Sequence, residues 1–260
     1  MDTLQQHVLP EQQIKALFEQ QRLAVRKVGQ RSAAQRLQQL KKLEQYLLDE
    51  ANVARLNGAL RDDFNKPEAE TRISELWVVL QHIRHIRRHL RNWMRDRRVP
   101  SPLTLFGTRS RIHYEPKGSC LILAPWNYPF NLALFPVLYA IAAGNTVLLK
   151  PSEMAPHTSA YIRDMIASLF PEEEVAVVEG DAAVAKTLTG LPFDHMYFTG
   201  SPQVGKLIMR AAAEHLSSVT LELGGKSPTV VDSSARVEQI AERCAWGKQF
   251  NAGQTCIAPD

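Results

Sequence analysis

Gly118-Ser-Cys-Leu-Ile-Leu-Ala-Pro-Trp-Asn-Tyr-Pro-Phe-Asn-Leu-Ala-Leu-Phe-Pro-Val-Leu-Tyr-Ala-Ile-Ala-Ala-Gly-Asn-Thr-Val-Leu-Leu-Lys150 joins two short apolar runs through a longer one. Ser119 to Ala124 and Thr146 to Lys150 have the length and bounding turn residues of strands buried on both faces. Phe130 to Ala143 is long enough for a helix and too short, with Pro136 inside it, to cross a bilayer of roughly 20 apolar residues' span. The same alternation continues. Helix His157 to Leu169, strand Val175 to Val178, helix Ala182 to Thr189, strand His195 to Phe198, helix Gln203 to Leu216 and strand Val219 to Leu223 follow in order. Strands alternating with helices predict an α/β fold, a doubly wound parallel sheet of the Rossmann-like, dinucleotide-binding type.

The usual Gly-x-Gly-x-x-Gly phosphate loop is missing from the sequence. In its place Thr199-Gly-Ser-Pro-Gln-Val-Gly205 sits between a strand and a helix. Gly200, Ser201 and Gly205 would there bring backbone N–H groups and the positive helix end up to a pyrophosphate, although glycines also serve ordinary strand-to-helix turns. Lys150 and Glu153 lie just past a buried strand, where one can donate to ribose hydroxyls and the other accept from them, or the two form a solvated pair at a strand end.

Downstream, Ser218-Val-Thr-Leu-Glu-Leu should be a strand delivering Glu222 into a Gly-Gly turn. Ala235 to Phe250 has helical spacing, and Asn251-Ala-Gly-Gln-Thr breaks it before Cys256. A carboxylate at a strand end and a thiol on a loop are placed to serve as base and nucleophile. A lone Cys is otherwise a small buried hydrophobe, and a lone Glu a solvated charge. Asn127, between Trp126 and Tyr128, is equally an ordinary turn residue.

The wording of four ordered blocks bears on that choice: Pro125-Trp-Asn-Tyr-Pro, Val147-Leu-Leu-Lys-Pro-Ser-Glu, Phe198-Thr-Gly-Ser-Pro-Gln-Val-Gly, and Leu221-Glu-Leu-Gly-Gly-Lys-Ser-Pro with Phe250-Asn-Ala-Gly-Gln-Thr-Cys, whose Glu and Cys stand 34 positions apart. From about Gly118 to Asp260 the chain resembles the aldehyde dehydrogenase superfamily. Cys256-Ile-Ala-Pro-Asp is similar to the class 3 branch, and Phe193-Asp-His-Met-Tyr-Phe-Thr-Gly with Met209-Arg-Ala-Ala-Ala to coniferyl-aldehyde-type members.

The resemblance implies an NAD(P)-dependent oxidation of a small-molecule aldehyde to a carboxylic acid. Cys256 is then the nucleophile, Glu222 the general base, and Asn127 with the Cys256 N–H the holder of the oxyanion. NAD, with NADP possible, would be bound by Trp126, Lys150, Ser152, Glu153, Gly200, Ser201, Gly205, Leu223 and Gly224. A carboxylate at Glu153 favours NAD by repelling a 2′-phosphate. No metal has a role. Family members continue well past the nucleophile, so the resemblance implies a chain truncated after the catalytic Cys. Its pocket would then lack a wall, apolar surface would lie exposed on the nucleotide-binding half, and the parent would be a homodimer. The alternative is a catalytically silent remnant that at most binds nucleotide or a partner chain.

The implied organisation is residues 1–99 as N-terminal helices packed on the nucleotide-binding domain, 100–117 as a β-hairpin oligomerisation arm, 118–225 as the NAD(P)-binding domain and 226–260 as the start of a catalytic domain. Residues 11 to 98 read as three helices. The first is lined by Ile14, Leu17 and Phe18; the second is capped by Ser32 with Leu37, Leu40, Leu43 and Leu47 on its stripe; the third is opened by Pro67 and carries Ile73, Leu76, Trp77 and Leu80. The arm reads as two strand-like runs in 101–116 on either side of Gly107.

Composition agrees with a folded protein, at 45% hydrophobic residues. Residues 1–111 hold 21 Lys+Arg against 12 Asp+Glu, and residues 112–260 hold 10 against 15. Most of the basic excess lies in His82 to Arg98, where Ile83, Ile86, Leu90 and Trp93 keep helical spacing. That is the wet face of an amphipathic helix, with no nucleic-acid motif beside it. His82, His85 and His89 lack the carboxylate or Cys that would complete a metal site. Cys120, Cys244 and Cys256 show no paired spacing, Cys120 and Cys244 being assigned to packing. Met1-Asp-Thr-Leu-Gln-Gln-His lacks the basic and apolar regions of a leader, so a reducing cytoplasm is expected.

Overall fold

The computed structural model describes residues 8–260; the polar start Met1 to His7, read above for a leader, lies outside the described residues. Helix α1 (Glu11–Gly29) buries Ile14, Leu17, Phe18, Ala24 and Val28 along one face. Gln21, on that face, donates from Nε2 to the carbonyls of Val147 and Glu172 at 3.0 and 2.9 Å, fixing the helix against the sheet. Ser32 closes a full capping box with Gln35 and starts α2 (Ala33–Leu48).

Here the expectation of three N-terminal helices needs correction. Asp49 leaves the helical region, and its carboxylate accepts from Ala51 N and Asn52 N, both at 3.1 Å, so a separate α3 (Glu50–Phe64) begins. It ends on Asn65 in the left-handed conformation, with φ 53°. A single turn, α4 (Glu68–Glu70), then passes into a π-helical segment, Thr71–Leu76, and into α5 (Trp77–Trp93). The wide turn shifts the helical register. Leu76 and Leu80 are therefore buried, whereas Ile73 and Trp77, expected beside them, are 61% and 55% exposed.

The arm also differs. Strand β1 is Arg97–Val99, earlier than expected, and pairs antiparallel with β2 (Ser110–Ile112) in the register Arg98↔Arg111. The run Leu103–Leu105, expected as a strand, is one 3-10 turn following Pro102, and Leu103 and Phe106 stand more than nine-tenths exposed beside it.

From Ser119 the alternation appears as expected: β3 (Ser119–Leu123), α6 (Asn131–Ala143), β4 (Thr146–Lys150), α7 (Pro156–Leu169), β5 (Val175–Val177), α8 (Ala182–Thr189), β6 (His195–Gly200), α9 (Pro202–Ala213) and β7 (Ser218–Leu223). The five strands are parallel in the order β5-β4-β3-β6-β7. Alternate side chains feed two cores. Ile122, Val147 and Leu149 pack with α6 and α7, over which α2, α3 and α5 lie; Leu121, Leu123, Leu148, Met196 and Phe198 pack with α1, α8 and α9. The turn from α6 into β4 needs Gly144, at φ 88°, and a Cβ there would also sit 2.5 Å from the buried Arg36 guanidinium. That guanidinium donates to the carbonyls of Gly29, Arg31 and Ala142, joining three segments.

Last comes α10 (Val237–Gln249), which has no buried residue. Cys244 is half-buried rather than a core thiol, on a helix with no fully buried residue; Cys120 on β3 is fully packed. Apolar side chains stand exposed on the outer face of α9 (Val204, Leu207 and Met209) and at Trp246 and Ile257. Among the described residues no helix is long and apolar enough to cross a membrane.

Candidate active site

Strand order reverses between β3 and β6: successive strands run outward from β3 to β5 on one side, then from β6 to β7 on the other. A doubly wound sheet opens a crevice beyond the carboxyl ends of the strands at such a switch point, because the connecting helices there lie on opposite faces. The loop after β3 carries Pro125, Trp126 and Asn127; β6 ends at Thr199 and Gly200; β7 ends at Glu222 and Leu223. These residues, with Leu132, Ser201, Pro202, Gly224, Gln254, Thr255 and Cys256, line a cleft of about 340 Å³. Eight residues singled out from sequence thus share one surface: Trp126, Asn127, Gly200, Ser201, Glu222, Leu223, Gly224 and Cys256.

The loop bearing Cys256 is held from two sides. Asn251 and Ala252 both adopt left-handed backbone at φ 54°, turning the chain sharply after α10. Asn251 Nδ2 donates to Asn127 O at 2.7 Å, and Asn127 Nδ2 donates to Gln254 O at 2.8 Å, so the two loops clamp each other. Tyr128 Oη and Thr255 Oγ1 lie 2.7 Å apart as a second tie. On the far side, Thr229 N donates to Asp260 O and Asp260 N to Ser227 O, both at 3.0 Å, holding the chain after β7 beside the thiol loop. Cys256 itself is exposed in a turn, and Glu222 is exposed at the end of its strand.

The remaining candidates lie outside this cleft. Gly205 packs α9 on β7: a Cβ there would be 3.0 Å from Leu223 Cδ2. Lys150 ends β4, one strand over from β3. Its buried Nζ donates to Pro151 O at 3.0 Å and to Glu153 Oε2 at 2.9 Å. Ser152 is occupied locally, its Oγ accepting from Met154 N at 3.2 Å. At the start of α9, Pro202 has no N–H and Ser201 Oγ takes that of Val204 at 3.3 Å, so Gln203 supplies the remaining amide of the first three positions.

Two residues that tie the cleft's loops together, and one that neighbours Glu222, were not singled out from sequence. Tyr128 and Thr255 sit inside quoted motifs, yet nothing in their spacing announces a bond across more than a hundred positions. Tyr197, on β6, has its hydroxyl pushed up to about 12 by burial and by the nearby Glu222 charge, so it stays protonated beside that carboxylate. Its alternation with Thr199 on one strand was the available signal.

A parallel sheet with its crevice at the switch point, and a thiol and a carboxylate lining that crevice, define a class. The sequence pattern described as "Aldehyde dehydrogenase family" matches residues 4–260, and the chain belongs to that family. Its relatives there include family 3 and coniferyl aldehyde dehydrogenases. The chain is 43% identical over 258 residues to a probable coniferyl aldehyde dehydrogenase of Pseudomonas aeruginosa, covering 99% of this chain and 54% of the relative. It is 43% identical over 230 residues to human aldehyde dehydrogenase family 3 member B1, covering 88% and 49%. The structure of Staphylococcus aureus AldH in its substrate-bound state superposes with a TM-score of 0.91 at 40% identity, covering 95% of this chain and 54% of that one. PnpE in complex with nicotinamide adenine dinucleotide superposes at a TM-score of 0.87 with 25% identity, covering 96% of this chain and 51% of that one. The chain spans about half the length of the curated relatives it matches.

Proposed function

We propose that the protein oxidises an aldehyde to a carboxylic acid with NAD or NADP, through a covalent intermediate on Cys256. The observation that carries this reading is the single cleft lined by Cys256, Glu222 and Asn127 at the carboxyl ends of β3, β6 and β7. An ordinary thiol, with a pKa of roughly 8.5, is only a few per cent ionised at neutral pH, so the nucleophile needs its proton removed. Glu222 or a water takes it. The thiolate sulfur bonds to the carbonyl carbon and the oxygen takes the charge. One hydrogen of Asn127 Nδ2 is on Gln254 O; the other, with the Cys256 N–H, is the donor assigned to that oxyanion, at a value of roughly 3–4 kcal/mol per donor. When bound, the nicotinamide supplies the hydride acceptor, and loss of hydride from that carbon leaves a thioester. Glu222 then takes a proton from the attacking water, the C–S bond breaks, and acid and thiolate separate.

The chain offers a nucleotide a fitting surface. Gly205 allows α9 to lie close on β7, its N-terminus faces the switch-point crevice, and Gly224 is open. Trp126, Ser152, Gly200, Ser201 and Leu223 are assigned to the same surface. Lys150 and Glu153 are assigned to the adenine ribose, a role in which each exchanges part of its present pairing for hydroxyls. The division into helices 1–99, arm 100–117, nucleotide domain 118–225 and the segment from 226, the arm's part in a homodimer, and a cytoplasmic setting belong to this reading as well.

The test is aldehyde-dependent NAD reduction by the whole protein. Cys256→Ala should abolish turnover, while Cys120→Ala and Cys244→Ala keep it within about threefold, the range of surface or small cavity changes. Near wild-type turnover in Cys256→Ala would remove the nucleophile assignment. A second reading, a chain that binds nucleotide without turnover, is favoured by the absence of any buried residue on α10, next to the thiol loop. It predicts nucleotide binding with no turnover in the wild type.

A further inference from the structure

Lys66 and Glu75 are the most deeply buried ion pair among the described residues, with side chains 4% and 0% exposed and Nζ 2.7 Å from Oε1. Taking two charges out of water is costly, and apolar residues of the same size would fill the space at less cost, so the arrangement around the pair indicates what it does. Burial pushes the Glu75 carboxyl up, against the pull of Lys66 and of the N–H groups of Asn131 and Phe130. Glu75 lies in the π-helical segment, a rare geometry that is frequent at functional sites. Its Oε2 accepts from Asn131 N at 2.7 Å, at the first residue of α6. Asn131 Nδ2 returns a bond to Ser74 O at 3.2 Å, inside the wide turn. The π-helical segment is thereby fixed to the loop that carries Asn127 and Tyr128.

Lys66 points the other way. Its ammonium lies 4.7 Å from the centre of the Tyr128 ring, a cation on an aromatic face. Tyr128 is itself buried, and its hydroxyl reaches Thr255 Oγ1, one residue before Cys256. Glu75, Lys66, Tyr128 and Thr255 make an unbroken series of contacts from an N-terminal helix to the thiol loop. Helix α10, which also leads into that loop, has no buried residue to set its position.

We propose that Lys66 and Glu75 are positioning residues: the carboxylate fixes the ammonium under the Tyr128 ring, and the ring's hydroxyl, through Thr255, sets where Cys256 stands in the cleft. The proposal rests on the reading of Cys256 as the nucleophile. Neither residue touches substrate, so both act only through Tyr128. Their removal should lower the rate of bond formation at the thiol and leave nucleotide binding alone, because a displacement of the reacting atom by even an ångström is expensive in rate.

The experiment is a mutant cycle in the whole protein, with coniferyl aldehyde and NAD as probes and Cys256→Ala as control. Glu75→Gln alone leaves Lys66 buried and unpaired and is prone to unfold. The variant used is therefore Glu75→Gln with Lys66→Met, which removes both charges and keeps the volume. It is set against Tyr128→Phe, and urea midpoints establish that all forms are folded. Each change should lower kcat roughly tenfold with KM for NAD unchanged. The combined variant should be no slower than the worse of the two, since all act along one path. Losses that multiply to about a hundredfold, or a kcat within twofold of wild type in either variant, overturn the proposal. Turnover persisting in Cys256→Ala would instead sink the nucleophile reading, and the proposal with it.

Discussion

Lys150 and Glu153 put the nucleotide assignment onto two side chains that hold each other across 2.9 Å. A ribose that bonds to them must compete with that pair, so the measurable consequence is a modest affinity. Lys150→Ala should weaken NAD binding by about tenfold or more, the worth of a hydrogen bond to a charged group, as read by titration calorimetry. Unchanged affinity in a folded Lys150→Ala protein would remove Lys150 from the site. At this scale the sequence was informative about identity and poor about partners. That Cys256, Glu222 and Asn127 would meet at one cleft was readable from motif wording and loop position. That Asn127 Nδ2 is shared with Gln254 O, or that Tyr128 rests on Lys66, depends on distances between loops over a hundred positions apart, which no local pattern carries.

Among the elements, the ends of helices decide more than their stripes. Ser32 has both bonds of its capping box, and Ser32→Ala should cost about 1 kcal/mol, seen as a lower urea midpoint with unchanged slope. An unaltered midpoint would mean that α2 is held by packing alone. Every strand and helix from β3 to β7 was legible, because buried parallel strands are continuous apolar runs separated by turns. The N-terminal helices were less so. The step of six positions from Leu47 to Val53 falls out of phase with the stripe before it, and with the Asp49 cap it is the local sign of a break that apolar content alone conceals. Ile73 and Trp77 were misplaced because a π turn alters the period on which the reading depends. Helical spacing places Cys244 on an apolar face but does not show how far that face is covered, and the thiol is half-buried.

For the whole molecule, pH acts on stability through half-buried histidines. Burial lowers the pKa of His82, with His85 adding to it, and lowers that of His195, with Lys117 adding to it. A lowered value means that the unfolded chain binds protons more readily below about 6.5, so stability is present above that pH and lost as pH falls through it. His113, raised by Asp96, has the opposite sign but is fully exposed and screened. The urea midpoint should therefore fall between pH 7.5 and 5.5, and His82→Gln with His195→Gln should flatten that fall; an equally steep profile in the double variant would contradict it. The charge asymmetry of the chain is likewise a whole-molecule property, and its basic face on α5 presents Arg84, Arg87 and Arg88 over a core of Ile83, Ile86 and Leu90, as amphipathic spacing implied. The central claim joins two loops at the end of one sheet: Cys256 forms a covalent intermediate and Glu222 removes it. It is tested most directly by rapid mixing of the Glu222→Gln whole protein with NAD and coniferyl aldehyde, since the amide keeps the shape of the carboxylate but cannot take a proton from water. The account predicts a burst of reduced cofactor of about one equivalent per chain, then slow turnover, with an acyl adduct on Cys256 by mass spectrometry. Loss of the burst together with turnover would contradict it.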